Sequence, residues 1–350
     1  MKLTPTRKRI LLGVVWLVPI ACVIWWATKQ RAPTFPTDAA GISALVGGVL
    51  LYGVATLMRA ERWDRILHRA DVHAKRADVY ALTPIGYAGN NVLPARGGEL
   101  LRTFLLGSRV PSATKRTILG TILAERVLDA VALGIILVVL ASSLLGELPA
   151  PSTALVIAGA AVLLLLVVAA AVALIKYRER LLFVLESLKP MAQPTKQLMS
   201  QHGLALLVLS LAIWCVEASV YIAVGHSVGI HLGLQDGLAV VAFTNAAALI
   251  PAAPGYIGTY DAAVIFAVNA VTNASRSTVL SYLILLRFVL FIPITVVGAG
   301  IMLVRYGGLS RIRAARDAAE AEQRAEREAA VAATASTRVE THADTAASTA

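Results

Sequence analysis

Six stretches of this chain are each long and apolar enough to cross a lipid bilayer. They lie at about residues 10–28, 39–58, 117–145, 153–175, 203–224 and 278–304. The hydrocarbon core of a bilayer is about 30 Å thick, so a spanning helix needs about 20 apolar residues. Inside that core, backbone polar groups must bond within the protein, and such runs therefore fold as helices. With 57% hydrophobic residues and a mean hydropathy of +0.72, the chain is predicted to be an all-α, polytopic membrane protein.

The distribution of basic residues predicts how these spans are oriented. The net charge is +11, and in membrane proteins Lys and Arg collect in cytoplasmic loops. The densest basic segment follows the second span and contains Arg59, Arg62, Arg65, Arg69, Lys75 and Arg76. We interpret this segment as a cytoplasmic loop and expect a multi-pass protein of the cell membrane with both termini in the cytoplasm. Because topology accounts for the basic charge, no nucleic-acid partner is predicted.

Two further apolar segments are interrupted by proline and glycine and do not fit a continuous span. The first covers about residues 79–93 and leads into Pro94 and the glycine pair Gly97 and Gly98. The second covers residues 237–271 and is split at residues 251–255. Irregular backbone inside a membrane must be buried in protein or face a wet cavity. We therefore predict two re-entrant hairpins built from broken helices.

The two halves of the chain, at about residues 10–145 and 153–305, repeat one order of elements. Each has two spans, a broken segment and a span with an embedded arginine, which is Arg126 in the first half and Arg287 in the second. Because each half has three spans, the second half starts on the opposite side of the membrane. This order predicts two inverted-topology halves, with a central transport site at the broken segments. The alternative is that proline and glycine are simply common in membrane helices.

The composition changes after the last span. Residues 306–350 are charged and rich in alanine, threonine and serine, without apolar periodicity. Such composition is typical of disorder. We predict one transmembrane domain at residues 1–305 and a largely disordered cytoplasmic tail at residues 306–350.

Polar residues around the breaks are the first candidates for substrate binding. Arg96, Glu99 and Arg102 surround the first break, where arginine forks and a helix N-terminus both suit a phosphate. The alternative is a loop held by an ion pair between Glu99 and Arg102, one turn apart. Asn91 and Asn245 precede the two breaks and either cap a half-helix or contact substrate, with capping the simpler role.

Charged residues within span three are the next candidates. Glu125 and Asp129 share one helix face, and Arg126 can pair with Asp129. They form either part of a substrate site or an internal ion pair close to the interface. The sequence does not decide between these two roles.

Arg287 is the candidate in the last span. It lies about nine residues into that span, where a charge is costly and usually functional. The alternative is a structural pair with Glu217 or Asp261.

Three motifs, in order along the chain, resemble a known family. They are Asn-x-x-Leu-Pro-x-Arg-x-Gly-Glu-x-x-Arg at residues 90–102, Glu-Arg-Val-Leu-Asp at 125–129, and Pro-Ala-Ala-Pro-Gly-Tyr-Ile-Gly-Thr-Tyr-Asp at 251–261. These resemble the motifs of the lysylphosphatidylglycerol synthase transmembrane-region family of flippase-like proteins. The third motif adds Gly255, Gly258 and Asp261 to the candidate substrate-binding residues. Asp261 stands where that family commonly has Glu, which keeps the charge but shortens the reach.

The resemblance covers about residues 10–305 and implies a function. It implies the lipid-translocating portion of that family without the soluble aminoacyltransferase domain, since only about 45 residues follow the last span. We expect a flippase-type transporter that moves an anionic or lipid-linked substrate between leaflets through a central basic cavity.

Other functions have weaker support in the sequence. No nucleotide loop, nucleophile–base pair or metal-ligand spacing can be recognised, so we expect no enzyme activity, no catalytic residues, no cofactor and no metal. The alternatives are an integral-membrane transferase acting on lipid-linked sugars and a scaffold subunit that binds a partner through its tail. The short external loops count against the transferase.

Overall fold

The computed structural model describes residues 35–93, 96–144, 201–247 and 256–307. Across these residues the secondary structure is eight α-helices without a strand, which confirms the all-α prediction for this part of the chain. The helices are α1 (Ala39–Arg69), α2 (Arg76–Val92), α3 (Gly97–Arg109), α4 (Lys115–Leu144), α5 (Gln201–Ser227), α6 (Leu234–Ala247), α7 (Thr259–Val271) and α8 (Arg276–Tyr306). Helices α1, α5 and α8 are long and apolar enough to cross a membrane.

The predicted spans coincide with helices wherever the structure describes them. Those at 39–58, 203–224 and 278–304 lie within α1, α5 and α8, and α4 covers nearly all of 117–145. The spans predicted at 10–28 and 153–175 lie outside the described residues, as does nearly all of the tail. The count of six spans and the two inverted halves therefore stay predictions.

The chain divides into two compact units, residues 1–298 and 299–350. The first contains α1 to α7 and most of α8. Of the second, the structure describes the end of α8 as far as Gly307. The predicted domain boundary after residue 305 stays a prediction.

Helix α1 begins at a conventional cap and ends later than expected. The Asp38 carboxylate accepts a hydrogen bond from Gly41 N at 3.1 Å, which satisfies a free donor of the first turn. The helix then continues past residue 58 to Arg69. The interpretation of Arg59 to Arg69 as a loop is therefore wrong. Arg59 and Arg62 are buried, because carboxylates on other helices neutralise them.

Glycines bring α2 and α3 into close contact. A Cβ added at Gly98 would lie 1.9 Å from the carbonyl oxygen of Gly86, and one at Gly89 would lie 2.7 Å from the Cα of Gly98. The Asn90 side-chain oxygen accepts a hydrogen bond from Gly98 N at 3.0 Å. This bond caps the start of α3 directly against the end of α2, while α2 itself continues through Pro84.

Helix α7 begins in a similar way. Gly258 precedes it with φ of 94°, a conformation that glycine adopts readily. The Asp261 carboxylate accepts a hydrogen bond from Gly258 N at 2.9 Å and caps the helix. Helix α7 packs against α6, and residues 248–255 between them lie outside the described part.

Helix α8 packs directly on the backbone of α2. A Cβ added at Gly298 would lie 2.4 Å from the carbonyl oxygen of Pro84. The Asn91 amide donates to Thr295 Oγ1 at 2.9 Å. The end of α2, and with it the start of α3, is therefore held against α8.

The largest hydrophobic core joins α4 to α5, α6, α7 and α8. It also contains buried hydroxyl groups, which find partners inside it. Tyr221 Oη lies 2.9 Å from Tyr260 Oη and 3.2 Å from Thr244 Oγ1. These hydrogen bonds connect α5, α6 and α7 beside the site described next.

Candidate functional site

A cavity of about 210 Å³ lies where the broken segment before α3 meets helices from later in the chain. Its charged and amide side chains are Arg59, Arg96, Arg126, Asp129, Glu217, Asn90, Asn91 and Asn245. Its aromatic side chains are Tyr52, Tyr87, Trp214, Tyr221, Tyr256, Tyr260 and Phe291. An apolar wall with a few convergent polar groups is typical of a ligand site. One more arginine than carboxylate lines it, so its net charge is weakly positive.

The residues singled out from sequence divide into three groups. Those that line the cavity are Asn91, Arg96, Arg126, Asp129 and Asn245. Those that contact the lining residues or continue their ion pairs are Glu99, Glu125 and Arg102. Those at the start of α7 and on α8 beside it are Gly258, Asp261 and Arg287. Gly255 lies outside the described residues.

A chain of alternating arginines and carboxylates runs from the cavity into the interior. In order, its members are Arg96, Glu99, Arg126, Asp129, Arg62, Glu125 and Arg102. Successive partners approach to 3.2, 3.6, 3.3, 2.7, 3.9 and 3.0 Å. Each carboxylate in the chain therefore contacts two arginines. Its inner members, Asp129, Arg62, Glu125 and Arg102, are buried, so removing one of them leaves buried charges with fewer partners, which is costly.

Arg62 is the centre of this chain and was missed by the sequence analysis. Its side chain is 0% exposed, and it donates from Nη1 to Asp129 at 2.7 Å and to Ser210 Oγ at 2.7 Å. The available signal was spacing: Arg59 and Arg62 are three residues apart, so on a continued helix they share a face. Because this segment was interpreted as a loop, the shared helix face of Arg59 and Arg62 was not recognised.

Arg59 is the second arginine that the sequence analysis missed. Its Nη2 donates to Glu217 Oε2, and both side chains are buried in the cavity wall. The Arg59 guanidinium carbon lies 5.5 Å from the ring centre of Trp214 and 5.9 Å from that of Tyr87, within reach of cation–π attraction. Glu217 was considered as a partner for Arg287, but its observed partner is Arg59.

Arg102 pairs with Glu125 and not with Glu99. Its Nη2 donates to Glu125 Oε2 at 3.0 Å, and its guanidinium carbon lies 3.7 Å from the ring centre of Trp63. The alternative of a pair between Glu99 and Arg102 is therefore wrong, because Glu99 faces Arg96 and Arg126. Likewise Asn90, and not Asn91, supplies the cap of α3.

Arg287 forms the pair with Asp261 that was one of its two expected roles. Its Nε donates to Asp261 Oδ1, while Asp261 Oδ2 caps α7. The guanidinium also lies over Phe291 and Tyr260, at 5.0 and 5.4 Å from the ring centres. Both rings line the cavity, and Arg287 contacts them without lining the cavity itself.

Some buried polar atoms of the cavity wall have no hydrogen-bond partner in the described part of the protein. They are Trp214 Nε1, Arg96 Nε and Arg126 Nε, of which the two arginine atoms lie 3.2 and 3.6 Å from Glu99 Oε1 in ion pairs without hydrogen-bond geometry. Unsatisfied buried donors cost free energy and call for an explanation. A ligand with acceptor oxygens, bound in the cavity, would supply a partner for Trp214 Nε1.

A second cavity of about 410 Å³ lies between the end of α1 and the starts of α2 and α5. Its charged groups include Glu61 and Arg65, which pair one turn apart at 2.9 Å. Tyr80 donates to Glu61 at 2.7 Å, and this hydrogen bond raises the pKa of the phenol. None of these residues lines the first cavity, so they provide matched controls for its charged groups.

Comparisons with known proteins come from a family model and one curated relative. The model described as "Lysylphosphatidylglycerol synthase TM region" matches residues 10–298. The "UPF0104 membrane protein PH1989" of Pyrococcus horikoshii is 25% identical over 126 residues, which are 35% of this chain and 37% of that protein. The match thus covers well under two thirds of that relative. No solved structure matches the chain.

Proposed function

This chain belongs to the family of the lysylphosphatidylglycerol synthase TM region, and on that premise we propose that it moves a phosphate-bearing lipid between bilayer leaflets. One observation carries the proposal. Residues beside both broken segments line one cavity: Asn90 and Arg96 at the first, and Asn245 and Tyr256 at the second. Transporters built from repeats bind substrate where their broken helices meet.

The donors in the cavity suit a phosphate group. Three arginines line the cavity, Arg59, Arg96 and Arg126, and the last two also hold Glu99 through their Nε atoms. Arginine forks bind phosphate oxygens through parallel charge-assisted hydrogen bonds. Arg96 also lies immediately before α3, whose N-terminus carries a partial positive charge. The weak positive charge of the wall attracts an anionic lipid head group.

We further propose the inverted arrangement of the two halves in a cell membrane, with re-entrant hairpins and cytoplasmic termini. The support is local similarity. Both α3 and α7 begin at a polar side-chain cap, from Asn90 and Asp261, and each precedes a helix with an embedded arginine. The same proposal takes the chain to act without a cofactor, nucleic acid or enzyme activity of its own.

A reconstitution experiment tests the transport function. The purified full chain is placed in vesicles with a trace of fluorescent phosphatidylglycerol, and dithionite quenching reports how fast the inner-leaflet probe reaches the outside. We expect faster exchange than in protein-free vesicles. Loss of charge-assisted bonds costs about 1.5–3 kcal/mol, so Arg126→Ala should slow exchange about tenfold or more.

The matched control is Arg65→Ala, since Arg65 is exposed and lies outside the cavity. Its exchange rate should equal that of the wild type. Equal rates with and without the wild-type protein would contradict the proposed function.

A further inference from the structure

Glu217 has fewer arginine partners than the carboxylates in the chain of alternating arginines and carboxylates. Glu99, Glu125 and Asp129 each contact two arginines. Among the described residues, Glu217 forms an ion pair with one arginine, Arg59. If a ligand takes an arginine from one of the first three, a second arginine still neutralises the carboxylate. If a ligand takes Arg59, Glu217 loses its counter-ion.

Arg59 is placed to accept such a ligand. It lines the cavity, and its single hydrogen bond within the described part goes from Nη2 to Glu217. A guanidinium has five N–H donors, so several remain for another acceptor. The unpartnered Nε1 of Trp214 lies on the same wall, with the Trp214 ring beneath Arg59. Arg59 and Trp214 together can hold an oxygen-rich anion.

We propose that Glu217 is a proton-coupling site: a phosphodiester that binds Arg59 releases the Glu217 carboxylate, which then takes up one proton. This inference rests on the proposed function of the same cavity. A carboxylate that is buried without its cation is strongly disfavoured in its charged form, so it protonates.

The charges balance in this step. The hydrogen bond from Arg59 to Glu217 breaks, the ligand oxygens accept from Arg59, and an O–H bond forms on Glu217. The proton comes from the bulk solvent and its buffer, so no hydroxide is left in the cavity. One negative charge and one proton are added together, so the charge of the occupied cavity equals that of the empty one. A neutral change avoids placing an extra charge inside a membrane, which is costly.

Among the carboxylates of the cavity wall, Glu217 is the one that loses its single arginine when a ligand binds Arg59. The titratable and charged groups of the same cavity wall are Tyr52 and Arg59 from α1, Tyr87 from α2, Arg96 before α3, Arg126 and Asp129 from α4, Tyr221 from α5, Tyr256 before α7 and Tyr260 from α7. Phenols ionise only in alkaline solution. Asp129 keeps Arg62 and Arg126 when Arg59 is taken. Proton uptake on binding therefore falls to Glu217.

Calorimetry on the solubilised full chain tests the coupling. The probe is dihexanoyl phosphatidylglycerol below its micelle concentration, a phosphodiester whose own charge does not change near neutral pH. Binding is measured in buffers with different ionisation enthalpies, and the slope gives the protons taken up. We expect about one proton for the wild type and for the control Glu61→Gln, and none for Glu217→Gln.

The outcomes separate the two proposals. If the wild type fails to bind the probe, the proposed function is contradicted and the coupling falls with it. If it binds without proton uptake, or if Glu217→Gln still takes up a proton, the coupling alone is overturned.

A second measurement needs no variant. Hydrophobic carbodiimides modify protonated carboxyl groups, and mass spectrometry locates the adduct. The probe should increase labelling at Glu217 of the wild type. Unchanged or decreased labelling would overturn the coupling even if Glu217→Gln fails to fold.

Discussion

The starts of α3 and α7, which follow the two predicted breaks, are alike in their capping and different in their electrostatics. The first turn of each helix is capped by a polar side chain, from Asn90 or Asp261. Each is followed along the chain by a helix with an arginine near the cavity. Arg126 belongs to a chain of seven charged residues, whereas Arg287 pairs with the capping Asp261 and lies over aromatic rings.

This difference shows that two arginines at positions predicted to be equivalent can have different partners. At the first break, several charged side chains share partners. A substitution at one of them should therefore change the free energy that the others contribute to stability. At the second, one carboxylate both caps a helix and holds an arginine. The cavity between them has an ionic side and an aromatic side, an asymmetry suited to a ligand with distinct ends.

The largest expected effect is the loss of Arg62, the centre of the ionic side. Arg62→Ala removes a cation shared by Asp129 and Glu125, and breaking a buried pair costs about 3–5 kcal/mol. Thermal unfolding of the solubilised protein should show a large loss of stability. The exposed Arg65→Ala should change it by less than about 0.5 kcal/mol. Equal effects would show that the chain of charges is not cooperative.

The next effect concerns the contact between α2 and α3. Gly98→Ala places a Cβ 1.9 Å from the Gly86 carbonyl oxygen, and overpacking of this kind costs about 1–3 kcal/mol or more. Gly134→Ala is the control, because nothing lies within 4 Å of an added Cβ there. Thermal unfolding of both variants measures the difference. A stable Gly98→Ala variant would contradict the close approach at the first break.

Arg287 tests the second break. Arg287→Ala should abolish exchange of fluorescent phosphatidylglycerol, because Asp261 and the aromatic wall lose their shared partner. Arg287→Lys should restore it only in part, since lysine lacks the planar fork. A double-mutant cycle of Arg287→Gln with Asp261→Asn should give a coupling of about 0.5–3 kcal/mol. A coupling near zero would make the two residues independent.

The smallest effect is the cap of α3. Asn90→Ala removes the acceptor for Gly98 N and should cost about 1 kcal/mol of stability. Asn269→Ala, at an exposed position of α7, should leave the midpoint of thermal unfolding unchanged. If both variants behave alike, the hydrogen bond of Asn90 does not hold the start of α3.

The helices follow from local sequence, because the length and polarity of each apolar run are properties of neighbouring residues. Runs such as 203–224 and 278–304 predict the helices that contain them, and the proline and glycine positions place the starts of α3 and α7 within a few residues. The end of α1 was misjudged for the same local reason. The sequence from Arg59 to Arg69 is rich in positive charge, and the carboxylates that neutralise Arg59 and Arg62 lie far away along the chain.

What the sequence by itself determined is therefore the membrane class, the described helices and the set of charged residues near the breaks. Tertiary structure alone decided their partners: Arg59 with Glu217, separated by 158 positions in the chain, and Arg62 with Asp129, separated by 67. The physical reason is that a buried arginine is tolerated only where packing brings a carboxylate to it. That meeting depends on how α1, α4 and α5 pack together, which no single stretch of sequence encodes.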